Sequence, residues 1–220
     1  MHTIDALTLV FYPMGGHISG MCLKGSGDVL IAINSSMTDG RQRFSLAHEL
    51  YHHFYDDMTT TICPRDINVT ADVEKDANVF ASFFLAPPAA LSEKIKEIRT
   101  KRKILDLAGV IELEQHFKMS RGAMLFRLLD EGELSQDEAS SMRSRIIYHA
   151  LALGYDDALY RPLQKEKAMI TYGRYIRQVE ELLRLDLISN GRFEELLLEA
   201  FRPDIVYGLN EGNEGDELID

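Results

Sequence analysis

His48-Glu49-Leu50-Tyr51-His52 sets two imidazoles four residues apart, with a carboxylate next to the first. On an α-helix that spacing is one turn with an offset of roughly 40°, so both rings project to one side and form a clamp for a single metal ion. Glu49 lies roughly 100° round the helix from His48, beside the ion's open coordination position and not necessarily on the ion. A carboxylate there can take a proton from a water that the metal activates. His53 points roughly 140° away from His48 and is read as a surface or supporting residue, not a ligand.

A catalytic zinc takes three protein ligands and a water, so a third donor is required. Cys22 and Cys63 are the only thiols, without the spacing of a zinc-knuckle pair, so the donors are expected to be histidine and carboxylate. Asp56 and Asp57 follow His52 too closely to fold back without breaking the helix end. Glu74 and Asp76, near the start of the next helix, differ by roughly 200° around it, so at most one faces the metal. Glu74 shares a side with Ala77, Asn78 and Ala81, and small residues there, opposite Ala47, allow two helices to approach closely. Glu74 is therefore the expected third ligand and Asp76 a solvated residue, giving one Zn2+ per chain.

The elements that must carry these residues follow from periodicity. Three short strands are expected at Ala6 to Tyr12, Ile18 to Leu23 and Asp28 to Ile33, separated by Gly15-Gly16 and Gly25-Ser26-Gly27. Then Phe44, Ala47, Tyr51 and Phe54 recur at helical spacing through the H-E-x-x-H segment. Thr70 is the expected N-cap of a second helix, with Asp72 and Glu74 in its first turn, a stripe of Val73, Ala77, Phe80, Ala81 and Phe84, and a stop at Pro87-Pro88. The remainder reads as helical, from about Ala89 to Ile98, Ile104 to His116, Arg121 to Asp130, Gln136 to Leu153, Ala168 to Leu185 and Arg192 to Phe201. The fold class is α+β: a small, mostly antiparallel sheet over an active-site helix, followed by an all-helical C-terminal region. The organisation expected is a core over residues 1–100, a helical segment packed on it over 101–135, a helical region over 136–207 and an acidic tail over 208–220.

A net charge of −11 opposes attachment to nucleic-acid phosphates or anionic lipid. No apolar run is long enough for a membrane span and the N-terminus lacks the pattern of a signal peptide, so a cytoplasmic protein is expected, without membrane partners.

The run Arg43-Phe44-Ser45-Leu46-Ala47-His48-Glu49-Leu50, then Glu74-Lys75-Asp76-Ala77-Asn78-Val79-Phe80-Ala81 and Leu85-Ala86-Pro87, closely resembles the ImmA/IrrE family of zinc metallopeptidases. The likeness covers roughly residues 5 to 135. It implies a minimal gluzincin-like zinc endopeptidase in which His48 and His52 are ligands, Glu49 is the catalytic base and Glu74, ahead of the Ala-Asn pair, is the third ligand. Family members typically cleave helix-turn-helix repressors and so derepress stress-response or mobile-element genes. The rival expectation is a zinc-containing module that does not cleave but sequesters a transcription factor or antitoxin. Tyr51 stands where the family commonly has Gly, putting a ring beside the metal cleft. Tyr51, His53 and Tyr55 are all open choices for stabilising an oxyanion. The last seventy or so residues look too short for the sensor domain of radiation-response members.

Leu113 to Ser120 and the helix after it, with Ala123, Leu125 and Leu128, resemble a helix-turn-helix capped by Ser120. Glu114 stands where DNA-binding examples usually have a small residue, and Arg121 and Arg127 are the second helix's only cations. The segment is expected to pack on the core, with direct DNA binding disfavoured.

Overall fold

The structure, a computed structural model, describes residues 5–64, 72–163 and 168–209. The first three strands form where alternation and turn residues place them: β1 (Leu7–Tyr12), β2 (Ile18–Gly25) and β3 (Asp28–Asn34). The Gly25↔Asp28 pair closes a two-residue hairpin whose central residues, Ser26 and Gly27, have φ of 50° and 88°. Both positions of such a turn must be left-handed, which is why small residues occupy them. Two more strands, β4 (Thr60–Pro64) and β5 (Ile170–Gly173), complete a sheet of order β4-β2-β3-β1-β5. Every neighbouring pair is antiparallel except β1 with β3.

The chain then forms α1 (Asp39–Tyr55), which is buried on two sides. Leu46 and Leu50 pack under the sheet against Cys22, Val29, Ile31 and Ile33. Phe44 and Ala47 belong to a second cluster with Ala81, Leu91, Leu113 and Leu125. This double burial is why the single stripe expected along α1 runs out: Tyr51 is half-buried and Phe54 is exposed.

After β4 comes α2 (Asp72–Leu85); its expected cap, Thr70, lies outside the described residues. Proline follows, and α3 (Pro88–Arg102), α4 (Leu107–Phe117) and α5 (Arg121–Asp130) build the helical core. The Ser120 hydroxyl accepts from Ala123 N at 3.4 Å and caps α5, as expected. The helix expected from Gln136 to Leu153 is two helices, α6 (Gln136–Ser141) and α7 (Ile146–Ala152), separated at Arg145 with φ of 49°. The C-terminal region is otherwise α8 (Arg174–Arg184), α9 (Asn190–Glu199) and α10 (Pro203–Tyr207). It is helical except for β5, which takes the start of the helix expected from Ala168. Ile170, Thr171 and Tyr172 suit a pleated strand better than a helix, and β5 pairs with β1. Among the described residues no helix is long and apolar enough to cross a membrane.

The helix-turn-helix-like pair α4 and α5 turns its charges inward. Glu114, Arg121 and Arg127 are all fully or almost fully buried. Arg121 donates to Glu114, the Tyr160 hydroxyl donates to the other Glu114 oxygen at 2.7 Å, and Arg121 Nη1 reaches Met142 O at 2.7 Å. The Arg127 guanidinium lies 3.7 Å over the Phe83 ring and donates to Ala86 O at 3.3 Å. Glu114 thus occupies the small-residue position because it neutralises Arg121, and both cations available to a groove reader are inside the protein.

Removing one partner of a buried pair leaves an uncompensated charge. Glu114→Ala is therefore expected to lower unfolding free energy by about 3–5 kcal/mol. Removing the partly exposed Arg102 that faces Asp106 should cost under about 1 kcal/mol. Urea denaturation distinguishes the two, and comparable losses would show that the Glu114 network is not the stronger element.

Candidate metal centre

Three donors converge between α1 and α2. His48 Nε2 and His52 Nε2 lie 3.2 Å apart, Glu74 Oε2 is 3.2 Å from His48 Nε2, and Glu74 Oε1 is 3.5 Å from His52 Nε2. The helices come this close because Ala47, Ala77 and Ala81 are all buried at their contact. Asp76, two residues on, is exposed.

The far nitrogens are held as well. His48 Nδ1 is 3.0 Å from Asn78 Oδ1, and His52 Nδ1 is 3.1 Å from Asp56 Oδ2. These acceptors place the ring protons on Nδ1 and leave the Nε2 lone pairs facing each other and a carboxylate. Burial, then the neighbouring His48, push the His52 pKa down, so that ring resists a second proton. Buried lone pairs and a carboxylate aimed at one focus fit a divalent cation.

Asn78 and Asp56 position the two rings. Asp56 follows His52 by one helical turn, and Asn78 follows Glu74 by one turn, so each lies on the same face as a donor. Asp56 was weighed only as a ligand; it instead accepts from His52 and from Met58 N at 2.9 Å, and the latter bond chiefly lowers its pKa.

Glu49 is fully buried under β2, and among the described residues neither carboxylate oxygen has a well-formed hydrogen bond. Burial pushes its pKa up to about 8, with the Glu74 charge adding and the neighbouring Cys63 thiol opposing. Gly20 makes room for it, since a Cβ there would meet Glu49 Oε1 at 2.6 Å. Of the three residues weighed for an oxyanion, Tyr51 stacks edge-on to His52 at 5.8 Å, and Tyr55 stands beyond it at 5.3 Å. His53 packs on Phe54 and has its pKa lowered by burial and then by Lys24.

Cys63, fully buried on β4, joins His48, His52 and Glu74 in a group whose donor atoms all lie within 4.8 Å of one another. The donors brought together are therefore not histidine and carboxylate alone. β4 is too short and too weakly alternating to signal a strand in sequence, and its thiol reaches the helices only through pairing with β2.

Residues 15–129, just over half of the chain, match a peptidase family described as the IrrE N-terminal-like domain. The chain belongs to that family. No curated protein and no solved structure matches it. The matched span runs from β2 to α5 and contains every donor of the cluster, while β1 and β5 of the same sheet lie outside it.

Two measurements bear on this centre. By metal analysis, wild-type protein should hold about one equivalent and His48→Ala almost none. Glu74→Ala should weaken affinity at least about 10-fold with Asp76→Ala nearly unchanged; the reverse order would remove Glu74 from the site.

The second is pH dependence after chelation. Between the ordinary carboxylate pKa of 4.5 and about 8, Glu49 is ionised in the unfolded chain and protonated in the folded one. Folding then binds a proton, so stability falls as pH rises through that window. Glu49→Gln lacks this dependence and should gain on wild type by on the order of a few kcal/mol between about pH 5 and pH 8. A constant difference across that range would contradict the shift.

Proposed function

We propose that the chain is a zinc-dependent, gluzincin-like endopeptidase of the cytoplasm that cleaves a helix-turn-helix transcriptional repressor and so derepresses stress or mobile-element genes. The observation carrying this reading is Glu49: a buried carboxylate beside the donor cluster yet outside it, in a pocket kept open by Gly20. A module that only bound a partner would have no use for such a group.

His48, His52 and Glu74 would hold the ion, with Asn78 and Asp56 fixing the imidazoles. When bound, zinc would polarise the scissile carbonyl and make water a better nucleophile. Glu49 accepts the proton of the attacking water and passes it to the departing amine nitrogen. Tyr51, Tyr55, Phe80 and Phe84 form an aromatic row beside His52, with ring centroids 5.3 to 5.8 Å apart, that would receive apolar side chains of the substrate. A protein substrate, not DNA, is favoured by the net charge and by burial of Arg121 and Arg127.

The test is to co-express wild type and Glu49→Gln with a helix-turn-helix protein encoded next door, following its length and the genes it represses. Loss of the base should slow cleavage by about 10²–10⁴-fold, so only wild type shortens the partner and derepresses its genes. If Glu49→Gln derepresses as strongly while the partner stays full length in both, sequestration is the mechanism and the enzyme reading falls.

A further inference from the structure

Catalytic zinc sites keep a coordination position open, whereas sites with four protein donors are closed. The cluster here offers four: His48, His52, Glu74 and Cys63. The thiol's placement is built into the sheet. Ile18 pairs with Pro64 and Gly20 with Cys63, so one extra residue, Ser19, bulges from β2 at this point. Bulges re-aim neighbouring side chains, and the Ser19 hydroxyl donates to Cys63 O at 3.2 Å, fixing the strand there. Along β4, Thr61 and Cys63 point inward and Ile62 outward. Thr61 reaches Asp56 Oδ2 at 3.4 Å. Thus β4 brings its thiol, which also neighbours Glu49, within 4.8 Å of the imidazole and carboxylate donor atoms.

We infer that Cys63 is a fourth metal donor that holds the peptidase latent. This rests on the metal reading proposed above. The thiol gives up its proton to solvent as the metal–sulfur bond forms, and no electrons are transferred. Opening is the reverse exchange: Cys63 takes up a proton and leaves as the neutral thiol, freeing the position that the attacking water needs. Movement of β4, which among the described strands pairs only with β2, is the step that permits it. Substrate docking along that edge is then coupled to unmasking of the site.

The test replaces the native ion with Co2+ in the full chain. A cobalt–thiolate bond gives a near-ultraviolet charge-transfer band that imidazole and carboxylate donors do not. Wild type and Cys22→Ala should show it, and Cys63→Ala should lose it while still binding cobalt, about tenfold or more weakly. At saturating metal, Cys63→Ala should cleave several-fold faster than wild type. Cobalt bound by wild type without the band, a band surviving in Cys63→Ala, or cleavage no faster in that variant overturns the inference. Should Cys63→Ala fail to fold, loss of the band in Cys22→Ala overturns it, since these are the only two thiols. Failure of wild type to bind cobalt at all would instead refute the metal reading.

Discussion

Two bare imidazole nitrogens 3.2 Å apart, with a carboxylate 3.2 Å from one of them, repel one another in a buried site unless a cation lies between. Much of the structure serves to hold that arrangement. Asn78 and Asp56 fix the rings from behind, and each is one turn from a donor on its own helix. Ala47, Ala77 and Ala81 bring α1 and α2 to the necessary distance; a larger side chain at any of them would move Glu74 away from the focus.

The sheet supplies the opposite wall. Its apolar underside grips Leu46 and Leu50, which rotates His48 and His52 toward α2 and Glu49 toward β2. One helix thus presents three faces: sheet contact, the two histidines of the candidate metal centre and the buried Glu49. That is why α1 reads poorly as a simple amphipathic helix. A buried Glu49 without a good hydrogen bond is destabilising, and the surrounding sheet and helical core must offset it. Gly20 contributes by leaving room, at a strand position where glycine would otherwise weaken the sheet.

What the sequence revealed, and what it hid, divides along range. His48, Glu49 and His52 are legible because their geometry is set within one helical turn, and Glu74 because helix phase and neighbouring small residues separate it from Asp76. The first three strands follow from alternation and glycine punctuation. Cys63 was invisible because its place depends on β4 pairing with β2 across some forty residues, with a bulge in the register. The strand is short, and two threonines and a proline give it no clear apolar alternation. For β5, a four-residue run merges into the strong helical pattern of α8, and only pairing with β1 makes it a strand. Glu114 was legible as an anomaly in a helix-turn-helix, but its partner Tyr160 lies 46 residues on.

The C-terminal region is more than an appendage to the matched peptidase segment. Tyr160 hydrogen-bonds the Glu114 oxygen that Arg121 does not occupy, so a buried carboxylate near α5 is satisfied from beyond the family match. β5 covers the outer edge of β1, and Arg202 returns from beyond α9 to Thr171 O at 3.3 Å. Because β1 in turn pairs with β3, and β3 carries Ile31 and Ile33 over α1, the path from β5 to the metal donors is one of continuous packing. Among the described strands β4 and β5 are the two edges of the sheet, and β4 is the one that carries Cys63 to the donor cluster.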